Sequence, residues 1–176
     1  MTRIFFVTGT DTNVGKTVIT ASLLHYFKNK GLKALGFKPV VSGGNEDTLL
    51  LQKNSSIFLE EKIISPFSFL PPIAPHLAAE KEKIVLSIKQ IKNHYEKIKS
   101  YHPDIILIEG AGGWKVPLND KEDFSDLACS VNASVILVVG MRLGCINHAL
   151  MTVESIQAKG IVLHGWVANC LDPDML

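Results

Sequence analysis

Several features that mark secreted and membrane-spanning proteins are missing from this sequence. It has three cysteines, Cys129, Cys145 and Cys170, and no two of them form a Cys-x-x-Cys pair, which is typical of reduced thiols in the cytoplasm. Its apolar runs have the length of strands and stay well short of the roughly 18 residues that a membrane span needs. The N-terminus leads directly into an apolar segment, without the basic region of a signal peptide. We therefore expect a cytoplasmic protein without a membrane span.

An excess of charge of one sign is also missing. The 18 basic residues nearly balance the 17 acidic residues, so we expect no nucleic-acid partner. None of the six histidines has the spacing of metal ligands, and there is no Gly-x-Ser-x-Gly element. The candidates for a functional site are therefore the glycine-rich segments.

The segment at residues 9–17, Gly-Thr-Asp-Thr-Asn-Val-Gly-Lys-Thr, is a variant phosphate loop. It follows the apolar run 4–7 and precedes an apolar helical segment, and this strand-to-helix context is what a phosphate loop requires. Backbone N–H groups in such a turn point into one concavity, where the helix dipole also favours negative charge. We expect Lys16 to reach the outer phosphates of a nucleotide and Thr17 to face Mg²⁺. The first glycine stands at position 9, one residue earlier than in the usual pattern, where Thr10 lies instead.

The rest of the chain predicts an α/β fold. With 176 residues, of which 47% are hydrophobic, the chain can bury a sizeable core. Apolar segments with strand character lie at 4–7, 33–39, 104–108, 134–139 and 161–168, and helical segments at 16–30, from 46, within 80–99 and up to 159. We expect one domain over residues 1–176, a three-layer α/β/α fold of the P-loop NTPase type with a mainly parallel sheet. Residues 54–75 are expected to be irregular covering structure, and residues 71–76 to form a wall of a cleft.

Polar residues stand where several of these strands end. Lys38 follows the second strand and Glu109 ends another, and ligands of parallel sheets gather beyond the carboxyl ends of strands. Glu109 is expected to anchor Mg²⁺, directly or through water. For Asp47, a helix cap is the better explanation when it is taken alone. Asn169, at the end of the last strand, can offer a donor and an acceptor to a base edge.

Five segments together resemble dethiobiotin synthetases: residues 9–17, Lys-Pro-Val-Val-Ser-Gly at 38–43, Glu-Gly-Ala-Gly-Gly-Trp at 109–114, Leu-Gly-Cys-Ile-Asn-His-Ala at 143–149, and Gly-Trp-Val-Ala-Asn at 165–169. The resemblance covers nearly the whole chain in order. It implies a cyclo-ligase of biotin synthesis that uses ATP and Mg²⁺. Such an enzyme carboxylates 7,8-diaminononanoate with CO₂, phosphorylates the carbamate, and closes the ureido ring to give dethiobiotin, ADP and phosphate.

The resemblance also implies a role for individual residues. Lys16 and Lys38 would be catalytic and hold the γ-phosphate, with Lys38 also pairing with the carbamate. Mg²⁺ would lie among Thr17, Asp47 and Glu109. ATP would contact Thr12, Asn13, Val14, Gly15, Lys16, Thr17, Val18, Glu109, Gly110, Ala111, Gly112 and, at adenine, Asn169. The diamine substrate would contact Lys38, Ser42, Gly112, Gly113 and the segment Gly144, Cys145, Ile146 and Asn147.

The family assembles as homodimers with the substrate at the subunit interface, where the helix start at 144–147 of the partner would receive the substrate carboxylate. This sequence departs from the family at Asn13, where some members have an acidic residue. It also ends at Leu176, where relatives commonly continue and help to cover the base. The expectation is a more open and less selective ATP site.

Two other functions share the variant phosphate loop. Amide-forming synthetases of the cobyrinate type normally carry a glutaminase domain, for which this chain has no room. Partitioning-type ATPase switches have an extra lysine five residues before the phosphate lysine, and Asp11 stands at that position here. Both alternatives are therefore disfavoured.

Overall fold

The computed structural model describes residues 1–171, in which five parallel strands form the main sheet. The strands of the protein are β1 (Arg3–Gly9), β2 (Ala34–Phe37), β3 (Val40–Ser42), β4 (Phe67–Phe69), β5 (Ile105–Glu109), β6 (Ser134–Met141) and β7 (Leu163–Cys170). The main sheet has the order β2-β5-β1-β6-β7. The chain end at Leu176, to which the expectation of an open base site refers, lies outside the described residues.

Seven helices connect the strands in the described part of the chain. They are α1 (Lys16–Asn29), α2 (Glu46–Asn54), α3 (Glu61–Ile64), α4 (Pro75–Lys81), α5 (Ile88–Lys99), α6 (Phe124–Ser130) and α7 (Cys145–Ala158). None of the helices within residues 1–171 is both long enough and apolar enough to span a membrane.

The helices cover both faces of the sheet, and β2 shows how. A Cβ at Gly36 would come within 3.0 Å of Leu24 of α1 and Leu51 of α2, so both helices pack on this face of the strand. The next residue, Phe37, points to the opposite face, where its ring packs near Tyr95 of α5. The predicted three-layer α/β/α arrangement is therefore confirmed.

The central strands are buried on both faces, which explains their unbroken apolar sequences. All five residues of β5, Ile105 to Glu109, are buried, and so are the last five of β1. Glu109 is thus the one charged residue of a fully buried strand, and its place at the carboxyl end brings it to the edge where ligands bind parallel sheets.

The expectation of irregular structure over residues 54–75 was wrong in part. The short helix α3 and strand β4 lie in this segment, and β4 pairs in parallel with β3 in a small second sheet. Val40, Val41 and Ser42 are therefore held as a strand beside the main sheet. Strands of three residues that directly follow a proline have too little alternation to be detected from the sequence.

Leu24 joins α1 to the sheet and should contribute strongly to stability. Its side chain is fully buried against Gly36. We predict that Leu24→Ala lowers the free energy of unfolding by about 2–5 kcal/mol, because it removes buried methyl groups and leaves a cavity. Chemical denaturation measures this, with Leu49→Ala, at a position 43% exposed, as the control. Equal losses in the two variants would contradict the packing described.

Candidate functional site

The phosphate loop joins the end of β1 to α1 and has the backbone geometry of an anion cradle. Asn13 and Gly15 have positive φ values of 58° and 91°, so the chain turns through the left-handed region twice within three residues. Gly9 is required for a different reason, since a Cβ there would come within 2.6 Å of the Val14 side chain. The early glycine of the variant motif is therefore explained by contact with Val14.

The loop leaves a set of backbone donors for a ligand. Gly15 is the N-cap of α1 and provides no side-chain cap. Within residues 1–171, the backbone N–H groups of residues 13–18 have no hydrogen-bond acceptor. Unpaired N–H groups at a helix N-terminus attract anions, and here they are joined by a buried lysine.

Lys16 lies folded over this loop. Its Nζ donates to the backbone oxygen of Asp11 at 2.8 Å. Burial lowers the pKa of Lys16 to about 8, although the Glu109 carboxylate opposes that shift. An ammonium group held by one carbonyl in a buried site gains free energy when it meets an anion.

A charged cluster lies next to the loop, where β2, β5 and α2 meet. Lys38 Nζ donates to Glu109 Oε1 at 2.7 Å and also pairs with Asp47. Glu109 Oε1 in addition accepts a hydrogen bond of 2.7 Å from Thr17 Oγ1. Glu109 is fully buried and Lys38 is 4% exposed. Lys38, Asp47, Glu109 and Thr17 therefore share one network, of which Lys38 and Glu109 are the buried part.

Opposite charges fix the protonation of this cluster. Burial alone would lower the pKa of Lys38, but Glu109 and Asp47 outweigh burial and raise it. Burial alone would raise the pKa of Asp47, but Lys38 outweighs burial and lowers it. Lys38 is therefore a cation and Asp47 an anion at neutral pH. The capping interpretation of Asp47 was wrong, because the N-cap of α2 is Asn45 and the Asp47 carboxylate pairs with Lys38.

Three oxygen ligands in this cluster suit a magnesium ion. Thr17 offers a hydroxyl, and Asp47 and Glu109 offer carboxylates, which are the hard donors that Mg²⁺ prefers. Glu109 Oε2 is buried and has no hydrogen-bond partner within the described residues, so this carboxylate has a vacant acceptor. Among residues 1–171, no group of three or more His, Cys, Asp and Glu side chains could hold a metal. A metal here would thus depend on the threonine and on oxygens of a ligand.

A cavity of about 830 Å³ opens beside the loop and the cluster. Residues predicted for the site that line this cavity are Thr12, Asn13, Gly15, Lys16, Thr17, Val18, Lys38, Ser42, Asp47, Glu109, Ala111 and Gly112. Its far wall is formed by Pro72, Ile73, Ala74 and Pro75, in agreement with the expected cleft wall. Ser42 Oγ is buried without a hydrogen-bond partner in the described chain. The cavity therefore extends from the phosphate loop to Ser42 of β3.

Other predicted site residues lie outside the lining of this cavity. Val14 and Gly110 are buried beneath it, and Gly113 lies against the start of the loop. Asn169 lies behind the loop, where its Nδ2 donates to the backbone oxygen of Val14 at 2.9 Å. The segment Gly144 to Asn147 forms the start of α7, away from the cavity lining, and Gly144 is its N-cap with a φ of 90°.

One contact at the loop had no signal in the sequence. Arg142, which follows β6, forms an ion pair with Asp11 of the loop, and both side chains are about half exposed. The two residues are 131 positions apart, and no sequence pattern connects them. Only the parallel pairing of β1 with β6 brings them together.

Comparison with known proteins agrees with this geometry. A family model described as an AAA domain matches residues 3–175. The ATP-dependent dethiobiotin synthetase BioD of Nitrosospira multiformis is 47% identical over 97% of this chain and 77% of its own length. The proteins of that name from Pseudomonas aeruginosa PAO1 and Wigglesworthia glossinidia are 46% and 41% identical, over 96% and 98% of this chain and 78% and 79% of their own lengths. The chain belongs to the dethiobiotin synthetase family.

Solved structures that are similar to this family member share its fold. The kinase domain of Escherichia coli tyrosine kinase ETK matches with a TM-score of 0.60 at 16% identity, over 95% of this chain and 67% of that one. A ParA family ATPase of Chlorobium tepidum matches with a TM-score of 0.53 at 12% identity, over 99% and 87%. At such identities the likeness shows the α/β fold and nothing finer.

The lowered pKa of Lys16 predicts a pH dependence of nucleotide binding in this dethiobiotin synthetase family member. Above a pKa of about 8 the free amine loses the charge that attracts phosphate. ADP affinity without divalent cations should therefore fall about tenfold from about pH 7.5 to about pH 9.5, where ADP itself does not titrate. Calorimetric titration measures this. Lys16→Gln should bind weakly with a flat profile, and a flat profile for the wild type would refute the prediction.

Proposed function

We propose that the protein is an ATP-dependent dethiobiotin synthetase that converts 7,8-diaminononanoate, CO₂ and ATP to dethiobiotin, ADP and phosphate. The observation that carries the proposal is Lys38, a buried ammonium group in the lining of a cavity that extends beyond the phosphate loop to Ser42. An ATPase switch needs no acceptor space beyond its phosphate site. A ligase needs that space, together with a cation where the γ-phosphoryl group meets a second substrate.

Residues at the loop would bind ATP. The N–H groups of residues 13–18 and Lys16 would surround the phosphates, as their unpaired donors suggest. ATP-contacting residues would be Thr12, Asn13, Val14, Gly15, Lys16, Thr17, Val18, Glu109, Gly110, Ala111, Gly112 and Asn169. Thr17, Asp47 and Glu109 would hold Mg²⁺, which would supply charge neutralisation at the β- and γ-phosphates.

Lys38 and Lys16 would be the catalytic residues. Substrate carboxylation would turn one amine of the diamine into a carbamate, whose oxygen attacks the γ-phosphorus of ATP while the bond to ADP breaks. The second amine then attacks the carbamate carbon, the ureido ring closes, and phosphate leaves. These steps need in-line placement and charge stabilisation more than a protein nucleophile. Lys38 would leave its carboxylate partners to hold the carbamate and γ-phosphate oxygens, and Ser42, Gly112 and Gly113 would contact the diamine.

The start and exposed face of α7 suit a subunit interface. Leu143 is 96% exposed, Ile146 74%, Leu150 60% and Met151 62%, although all four are apolar. We propose a homodimer through this face, in which the Gly144, Cys145, Ile146 and Asn147 backbone receives the substrate carboxylate of the partner.

We also propose a cytoplasmic location, which suits the free thiols of Cys129, Cys145 and Cys170.

The experiment that tests the function supplies the protein with diaminononanoate, bicarbonate and MgATP labelled at the γ-phosphate. Phosphate release should require both the diamine and bicarbonate, and mass spectrometry should detect dethiobiotin. Phosphate release at the same rate without the diamine would favour an ATPase switch and contradict the proposal.

Lys38→Met should reduce kcat/KM by about 10²–10³, because one charge contact to the transition state is lost. ADP affinity should change less than about threefold if Lys38 acts mainly on the transferred group. Steady-state kinetics measure the first and calorimetry the second, after thermal unfolding has shown that the variant folds. Lys53→Met, at an exposed position on α2, is the control. Normal turnover by Lys38→Met would remove Lys38 from the mechanism.

The dimer proposal predicts that Leu150→Asp dissociates the protein, since a carboxylate would be buried against apolar residues. Analytical ultracentrifugation should give the mass of two chains for the wild type and of one chain for the variant. Val85→Asp, at another position that is 70% exposed, should remain a dimer. A wild type with the mass of one chain would contradict the proposed interface.

A further inference from the structure

Asn169, near the end of the edge strand β7, contacts the phosphate loop from the side opposite the cavity. Asn169 stands opposite Gly140 in the ladder between β6 and β7, at the carboxyl end of the sheet. Its side chain crosses to the loop, where Nδ2 donates to the backbone oxygen of Val14 at 2.9 Å. Because a carbonyl oxygen can only accept, the amide of Asn169 must present its NH₂ group to the loop. One of its two N–H donors is therefore committed to the backbone of the cradle.

This hydrogen bond determines where a neighbouring donor points. In a trans peptide the C=O and N–H bonds point in opposite directions. When Asn169 holds the Val14 carbonyl on one side of the loop, the N–H of Gly15 is directed to the other side, toward the cavity that Gly15 lines. Asn169 thus orients a donor of the phosphate cradle without touching the ligand through that contact.

The peptide between Val14 and Gly15 needs such a restraint. Gly15 has a φ of 91°, and a glycine accepts the opposite sign of φ nearly as well. Rotation of this peptide by half a turn would direct the Val14 carbonyl into the cradle, where its negative end would repel phosphate. A side chain at position 15 would favour the rotated form, because residues other than glycine prefer a negative φ, and its Cβ would also collide with Asn169 Nδ2 in the present form.

Packing holds the side chain of Val14 in place, but it does not fix the orientation of the Val14–Gly15 peptide. The Val14 side chain is 1% exposed and packs close to Gly9 and Gly140, where an added Cβ would come within 2.6 Å and 3.0 Å of it. The side chain therefore holds the residue in place, whereas its carbonyl depends on the hydrogen bond from Asn169.

We infer that Asn169 is a positioning residue for the phosphate loop, which holds the Val14–Gly15 peptide in the orientation that binds phosphate. This role rests on the proposed function insofar as a phosphate is the ligand of the loop. It is separate from a contact with adenine, which would use the rest of the amide. A residue that served the base alone would leave phosphate binding unaffected when it is replaced.

The test uses a probe that has phosphates but no base. Asn169→Leu removes the donor at nearly constant size, and Asn169→Asp replaces it with an acceptor. Both variants should bind inorganic tripolyphosphate about tenfold or more weakly than the wild type, the loss expected for one hydrogen-bonded donor. Cys170→Ser, next on the same strand and exposed, should bind tripolyphosphate like the wild type. Calorimetry measures all four proteins.

A second readout needs no ligand and so does not depend on the proposed function. Hydrogen exchange of the free protein should be faster at the hydrogen-bonded amides on either side of the loop, Thr10 and Ile19, in both Asn169 variants and unchanged in Cys170→Ser. In turnover assays the variants should show a lower kcat as well as a higher KM for ATP, whereas loss of a base contact alone would raise only KM. Exchange rates and tripolyphosphate affinity equal to those of the wild type in either folded variant would overturn the inference.

Discussion

The site depends on a carboxylate that is buried at the end of the central sheet. Glu109 is fully enclosed, and an isolated buried carboxylate would cost several kcal/mol. Lys38 and Thr17 offset that cost by donating to the same oxygen. These contacts with Glu109 bring the ends of β2 and β5 and the start of α1 together. The ion pair of Lys38 with Asp47 brings α2 there as well. The fold is thereby arranged around a charge that the sheet alone could not accommodate.

The same arrangement explains how a stable free protein can be ready for nucleotide. Lys38 serves as the counter-ion of Glu109 and Asp47, while Lys16 rests on a backbone oxygen of the loop. Under the proposed function, both ammonium groups would exchange these internal partners for phosphate and carbamate oxygens, and the carboxylates would gain a metal ion. Because the exchange replaces one set of ionic contacts by another, the free energy cost of activating the site would be small. The same buried charges would stabilise the fold of the free protein and would take part in catalysis once the substrates bind.

Local signals predicted much of this structure. The apolar runs before Gly9 and Glu109 identified the buried strands, and the loop motif identified the start of α1. Lys38 and Glu109 could be grouped because each stands at the end of a strand, whereas Asp47 joined them only through the resemblance to dethiobiotin synthetases. The sequence could not show that Asn169 holds Val14 or that Arg142 pairs with Asp11, since each contact joins residues more than a hundred positions apart. The strands β3 and β4 were missed because three residues carry too little periodicity.

Under the proposed function, Lys38 exchanges Glu109 for the nucleotide. A crystal structure with magnesium and a non-hydrolysable ATP analogue would show this exchange. We expect Lys38 Nζ to move from Glu109 Oε1, which it contacts at 2.7 Å in the free protein, to an oxygen of the γ-phosphate, while Glu109 turns to the magnesium ion or its water. A bound analogue whose γ-phosphate lies out of reach of Lys38, with the contact to Glu109 intact, would show that Lys38 keeps its internal partner and has no role in phosphate transfer.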